Sequence, residues 1–329
     1  MKKIKVALVG LGDIAHAYED NPNVVRRIRI PTHYAALRHD KRYELVAACD
    51  SKKSARDRFR RKVGRRVHMY GSLAQMLGHS TIDLLVIATP TPTHFSVGME
   101  AMRAGVRAIF CEKPIAYSSK EARTLLRTAG DRNVKFGVNY FRSFDSHYVR
   151  LSETIRRGTW GQPKLINVKY SKGIFNTATH CSQLLTKFFG KGLSVRAFGE
   201  APLKREYDPT ISFIVSYETF DAVYEGLRTN AYRIFEIDML FERGRLILSG
   251  DKLSVFEIAT DHGFSFLSRS ARFRIKIDIS NSMRDVYDNF YQHLTRNEPL
   301  LCSNQDALHA VATAEQAVKS LINKRRVKI

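Results

Sequence analysis

Gly10, Gly12 and Ala15 have the residue types and the spacing, G-x-G-x-x-A, of a turn that holds a pyrophosphate. They close an apolar run at residues 4–9 and open a helical pattern. Gly10 permits a tight strand-to-helix turn, Gly12 lets backbone approach an anion, and Ala15 lets the helix lie close to the sheet. Leu11, Asp13 and Ile14 between them offer backbone N–H groups at the positive end of a helix dipole. This chemistry suits a dinucleotide. The same glycines also serve as a plain turn in an α/β domain that binds nothing.

Three further places carry residues of chemical interest. Asp50 ends the second apolar run, where an acid hydrogen-bonds the adenosine ribose and repels a 2′-phosphate, favouring NAD. It stands farther from Gly10 than the usual twenty or so residues, and residues 18–33, rich in Pro and Arg, read as an insertion that accounts for the excess. Ser51, Lys52 and Lys53 follow and equally suit a 2′-phosphate, so NADP stays open; an aspartate that merely forms a turn is the plain alternative. Thr89-Pro90-Thr91-Pro92-Thr93-His94 follows the next apolar run, at the carboxyl end of the sheet where open α/β folds bind ligands. His94 there either touches a cofactor or opens a helix. Tyr140 and Arg142 follow the last strand of the first half; Arg142 is suited to a bidentate clamp on a substrate anion or to an ion pair between domains.

The elements that must position these groups alternate in the first part of the chain. Strand patterns at 4–9, 43–49, 84–88, 108–111 and 134–138 are separated by helical patterns such as 73–77, 93–104 and 119–129. That alternation predicts a doubly wound parallel sheet, a Rossmann domain over residues 1–140. From 141 the pattern changes to strands at 164–170, 211–217, 222–227, 235–241, 245–249 and 253–258. Close turns at 242–244 and 249–251 predict hairpins. The second domain, 141–329, is therefore α+β with a large, mainly antiparallel open sheet. Helices at 281–295 and 304–322 close the chain, the last free to pack back on the first domain.

Composition narrows the class. A chain of 329 residues with 44% hydrophobic content predicts two globular domains. Gly10, Gly12 and Asp13 interrupt the first apolar stretch, so a secretory leader is not expected; with no apolar run long enough to span a bilayer, a cytoplasmic protein away from membranes is. Cys49, Cys111, Cys181 and Cys302 lie far apart without C-x-x-C spacing, against disulfides and a zinc site. The net charge of +22 is spread along the chain. It suits an anionic substrate and cofactor, or is a solvated surface without a role; without a helix-turn-helix, zinc-finger or aromatic RNA-binding signature, specific nucleic-acid binding is not expected.

Cys111-Glu112-Lys113-Pro114 lies at the end of the strand pattern 108–111. With Gly10 to Ala15, Thr89 to His94, Val138-Asn139-Tyr140 with Arg142, and residues 173–185, it resembles the Gfo/Idh/MocA oxidoreductases over essentially the whole chain. The resemblance implies an NAD(P)-dependent enzyme that moves hydride between nicotinamide and a ring hydroxyl or keto carbon, with no metal. It makes Lys113 a catalytic residue, its pKa lowered beside a nicotinamide cation, and Glu112 its orienting neighbour or a cofactor contact.

Residues 173–183 resemble the family's second motif, Asp-x-Gly-x-His-x-x-Asp at a helix start, with Asn176, Ala178 and Gln183 in place of acid, glycine and acid. His180 is retained and suits general acid–base chemistry near neutral pH. The i,i+4 spacing puts Asn176 and His180 on one helical face, where Asn176 can position but not protonate a substrate; a histidine satisfied in a helix interface is the plain alternative. The stretch resembles members associated with surface-polysaccharide and nucleotide-sugar pathways, which implies a sugar or nucleotide-sugar substrate and a homo-oligomer, dimer or tetramer. Gln183 and Ala178 also suit a non-catalytic dinucleotide-binding sensor or scaffold.

Overall fold

The computed structural model describes residues 3–199, 207–229, 231–270, 273 and 277–329. Its contacts divide the chain into two units, residues 1–145 with 279–307, and residues 146–278 with 308–329.

The first unit holds β1 (Ile4–Val9), α1 (Pro22–Val25), α2 (His33–His39), β2 (Tyr43–Cys49), α3 (Lys53–Val63), β3 (His68–Tyr70) and α4 (Leu73–His79). It continues with β4 (Leu84–Ile87), α5 (His94–Arg103), β5 (Ala108–Cys111), α6 (Ser119–Asp131) and β6 (Lys135–Val138). All six strands pair in parallel in the order β3-β2-β1-β4-β5-β6, the doubly wound arrangement that places a ligand crevice where the order reverses, beside β1 and β4. Every residue of β4 and β5 is buried, as strands covered on both faces require.

The expected helix after the glycine turn does not run on. His16 N–H donates to Gly12 O (3.2 Å), but the chain then tightens into a short 3₁₀ turn, Ala17–Asp20. The carbonyls of Ile14 and Ala15 instead accept from the N–H groups of His33 (3.1 Å) and Tyr34 (2.9 Å), at the start of α2. In an unbroken helix residues 18 and 19 would supply those donors. Fifteen residues are thus looped out of one interrupted helix, and without them Asp50 would stand about 25 residues from Gly10, near the usual spacing. Pro22 and Pro31 lie within the excursion; a helix interior would exclude both.

The second unit holds α7 (Ser146–Arg156), β7 (Pro163–Tyr170), a π-type turn (Ile174–Ala178), α8 (Thr179–Phe189), β8 (Ser194–Phe198), β9 (Ser212–Ser216) and β10 (Asp221–Gly226). It continues with β11 (Phe235–Phe241), β12 (Gly244–Ser249), β13 (Lys252–Asp261), β14 (Phe264–Arg269) and, near the C-terminus, β15 (Val327–Lys328). Their order is β14-β13-β12-β11-β7-β10-β9-β8-β15, with every neighbouring pair antiparallel except β7 and β10. In β11 and β12 buried and half-buried residues alternate, so one sheet face carries that unit's core. Hairpins close at the predicted turns, with Leu240 opposite Arg245 and Ser249 opposite Lys252.

A single division at residues 140 and 141 does not describe this partition. Residues 279–307, read from sequence as part of the second domain, pack in the first unit. The helix α9 (Ser282–Arg296) sets Phe290 4.9 Å from the Phe110 ring and Tyr287 5.4 Å from the Tyr43 ring. Gly137 on β6 makes room for it; a Cβ there would lie 2.8 Å from the Phe290 ring. The last helix, α10 (Asn304–Asn323), begins in the first unit and ends in the second.

Gly10 has φ +86°, and a Cβ added to it would lie 2.6 Å from the Ala88 carbonyl oxygen. Gly10→Ala should therefore cost about 2 kcal/mol or more, measured as a lower urea midpoint; an unchanged midpoint contradicts this packing.

Candidate active site

The glycine turn is held from below and open above. Gly10 N–H donates to Cys49 O (2.8 Å), and Leu11 N–H to Asp50 Oδ2 (2.8 Å). The other carboxylate oxygen of Asp50 accepts from Lys52 N–H (2.8 Å). Arg56 Nη1 bonds the carbonyls of Asp50 (2.6 Å) and Ser51 (2.9 Å), tying α3 to the same corner. Asp50 is thus first a brace for the turn, with lone pairs left over for a ribose. Leu11 and Ala15 are fully buried, Ile14 is half-buried, and Gly12 and Asp13 are exposed. A Cβ built on Gly12 meets nothing within 4 Å. That clear space over exposed backbone fits a dinucleotide pyrophosphate.

The loop after β4 is locked to the loop after β5 by His94. Its ring is 1% exposed, with Nε2 2.8 Å from Thr89 O and Nδ1 2.9 Å from Pro114 O. Burial pulls its pKa down against those two carbonyl partners. Both carbonyls can only accept, so a neutral imidazole donates to one of them while its ring stays wedged against both loops. Thr93 Oγ1 closes the same loop on Thr89 Oγ1 (2.7 Å) and Pro90 O (2.8 Å).

Glu112 and Lys113 follow β5 at the same sheet edge. The Glu112 carboxylate is buried and takes three N–H donors: His33 Nε2 (3.0 Å) and Asn139 Nδ2 (2.6 Å) on Oε1, and Lys113 N (3.2 Å) on Oε2. Burial alone would push its pKa up. The His33 and Asn139 hydrogen bonds, with attraction from Lys113, outweigh that and hold it below the ordinary carboxylate value. Lys113 is half-buried, and its peptide bond to Pro114 is cis. Tyr140 is fully buried. Arg142 is half-buried with its guanidinium carbon 4.6 Å from the Phe141 ring centre.

In the second unit the segment with Asn176 and His180 is not one α-helix. Asn176 lies in the π-type turn and His180 in the first turn of α8, so the α-helical spacing argument does not hold locally. Asn176 is exposed and its Nδ2 donates to Lys172 O (3.1 Å), whereas His180 is 9% exposed and Gln183 1%. Asp208, which the sequence does not single out, caps the turn: its two oxygens accept from Phe175 N–H (2.7 Å) and Asn176 N–H (3.0 Å). Gly173, at φ +92°, leaves the carboxylate its space; a Cβ there would fall 2.1 Å from Asp208 Oδ2.

Residues 4–140 match the Gfo/Idh/MocA family, an oxidoreductase family with an NAD-binding Rossmann fold. The chain is a member of that oxidoreductase family. An inositol 2-dehydrogenase of Rhizobium meliloti is 26% identical over 273 residues, covering 75% of this chain and 81% of the relative. The fold is that of the WlbA dehydrogenase from Bordetella pertussis, solved with NADH and UDP-GlcNAcA, at TM-score 0.80 and 19% identity over 100% of this chain and 99% of that one. An Agrobacterium radiobacter oxidoreductase solved with NAD+, L-tartaric acid and magnesium gives 0.76 at 17% identity, over 99% and 98%. This family member is thus an NAD-binding oxidoreductase. Its four cysteines are buried and form no disulfide, and no helix among the described residues is long and apolar enough to cross a membrane.

His16, beside the glycine turn, is fully buried with its ring 4.8 Å from that of Phe59. Burial, then Lys62 and Arg58, lower its pKa to about 4, against smaller opposing effects of Asp20 and the Leu11 backbone. The unfolded chain therefore binds the extra proton between pH 6.5 and 4, and stability present above pH 6.5 is lost as the pH falls through that window. The urea-unfolding difference between wild type and His16→Phe should shift by about 2–3 kcal/mol from pH 7.5 to 4.5; parallel curves contradict the assignment. Asp208→Ala should cost about 1–3 kcal/mol by stranding two N–H groups, and Asp208→Asn less, as read from thermal unfolding.

Proposed function

We propose that this oxidoreductase acts on a secondary hydroxyl, or the corresponding ketone, of a sugar or nucleotide-sugar ring, with Lys113, His180 and Asn176 as its substrate-handling residues. When bound, NAD would supply the hydride acceptor or donor. The residues suited to hold it are Gly10, Leu11, Gly12, Asp13 and Ile14 for the pyrophosphate, Asp50 and Ser51 for the adenosine ribose, and Thr89, Pro90, His94, Glu112 and Lys113 for the rest.

The observation that carries the reading is Lys113, half-buried beside an ionised, fully hydrogen-bonded Glu112 at the carboxyl edge of the sheet. In reduction its ammonium donates a hydrogen bond to the carbonyl oxygen and passes a proton to it; in oxidation the neutral amine takes the hydroxyl proton as hydride leaves the carbon. His180, near-buried at the first turn of α8, is the other side chain suited to proton exchange near neutral pH. Asn176 offers an amide that orients a neighbouring hydroxyl, while Tyr140 shapes the site and Arg142 takes an anionic substituent. The ring substrate is supported by the relatives, an inositol 2-dehydrogenase and a dehydrogenase solved with UDP-GlcNAcA. The surplus of 22 positive charges favours the diphosphate-bearing kind of sugar. The protein is expected to work as a homo-oligomer in the cytoplasm, without a metal.

Reduction of NAD+ and NADP+, followed at 340 nm with inositols, free hexoses and UDP-sugars, identifies the substrate class. Lys113→Met should lower kcat by about 10²–10⁴-fold and change NADH affinity, measured by fluorescence, far less. Full turnover in that variant, or no turnover of any ring polyol by wild type, overturns the reading.

A further inference from the structure

The residue that closes the interrupted helix also reaches the segment that carries Lys113. His33 donates its backbone N–H to Ile14 O (3.1 Å), four residues past Gly10. Its side chain is fully buried, edge-on to Phe110 and Tyr287, with ring centres 6.1 and 5.9 Å away. Nε2 lies 3.0 Å from Glu112 Oε1 and Nδ1 2.9 Å from the Tyr287 hydroxyl. The Glu112 carboxylate can only accept, so Nε2 carries the hydrogen. One residue thus ties three parts of the first unit together: the dinucleotide turn, the end of β5, and α9.

We propose that His33 is a positioning residue for Lys113, its Nε2–H holding the buried Glu112 carboxylate in the orientation that fixes Lys113 beside the dinucleotide turn. The proposal rests on the reading of Lys113 as the proton-handling group. The physical reason is the cost of a buried carboxylate that loses a donor. Without His33, Asn139 alone supports Oε1 from outside the Glu112-Lys113 pair. The carboxyl group then rotates or takes up a proton. Rotation breaks its bond to Lys113 N–H (3.2 Å); protonation removes the negative charge that faces the lysine.

Two variants of opposite reach separate this role from simple packing. The amide nitrogen of His33→Gln falls where Nε2 stood, toward Glu112, whereas the shorter amide of His33→Asn falls near Nδ1, toward Tyr287. Three quantities are read in each purified variant: acetylation of Lys113 by acetic anhydride at pH 8, by peptide mass spectrometry; the Kd for NADH, by fluorescence; and turnover of the best ring substrate. His33→Asn should change the Lys113 acetylation rate by at least about threefold and lower kcat by about 10–100-fold, with the Kd for NADH within about threefold of wild type. His33→Gln should lie within about threefold of wild type in all three. Wild-type behaviour of the Asn variant overturns the proposal, as does equal impairment of both variants. Lost turnover with unchanged Lys113 acetylation also overturns it. Full turnover of Lys113→Met instead overturns the role given to the lysine, while the acetylation contrast between the two His33 variants still decides the structural link.

Discussion

A carboxylate buried away from water is tolerated only when its charge is met by donors, and in this protein the Glu112 carboxylate is met by three. His33, Asn139 and the Lys113 backbone come from the start of α2, the segment after β6 and the end of β5. None can shift without leaving the charge short of a partner, so the carboxylate fixes three chain segments at once. Lys113 inherits that rigidity: a flexible lysine stem gains a defined origin beside the sheet edge. The aromatic layer of Tyr43, Phe110, Tyr287 and Phe290 excludes water around the same point and makes each hydrogen bond costlier to break.

The dinucleotide turn draws on the same economy of contacts. Gly10 presses on the end of β4, Asp50 braces Leu11, and His94 joins the loops after β4 and β5. A helix broken after one turn would leave carbonyls without donors; α2 supplies them from beyond a fifteen-residue excursion. The polypeptide thereby carries an insertion in the most constrained helix of the fold without losing the geometry of the turn, and the residue that completes the repair, His33, is the one that reaches Glu112.

What could be read in the sequence was what local chemistry decides. The glycine turn was legible because few residue types tolerate its backbone, and β4 and β5 because burial on both faces leaves unbroken apolar runs. The alternation in β11 and β12 marked a sheet with one covered face. Contacts set by distant partners were not legible. Nothing near His33 in sequence announces Glu112, 79 residues away; nothing near Asp208 announces the turn it caps, 32 residues earlier. The return of residues 279–307 to the first unit depends on Phe290 meeting Phe110 and Gly137, a match of shapes that periodicity does not encode. The second motif does end in a helix, with His180 in the first turn of α8, but Asn176 lies in a π-type turn before it that depends on a capping carboxylate from elsewhere in the chain.

A crystal structure with NADH bound tests the central claim most directly, namely that Glu112 holds Lys113 ready beside the redox-active ring. The account predicts the pyrophosphate over Gly12, a ribose against Asp50, and the nicotinamide within hydrogen-bonding range of the Lys113 environment with the Glu112 hydrogen bonds intact. A nicotinamide bound away from Lys113, or a Glu112 side chain that abandons His33 when NADH binds, contradicts it.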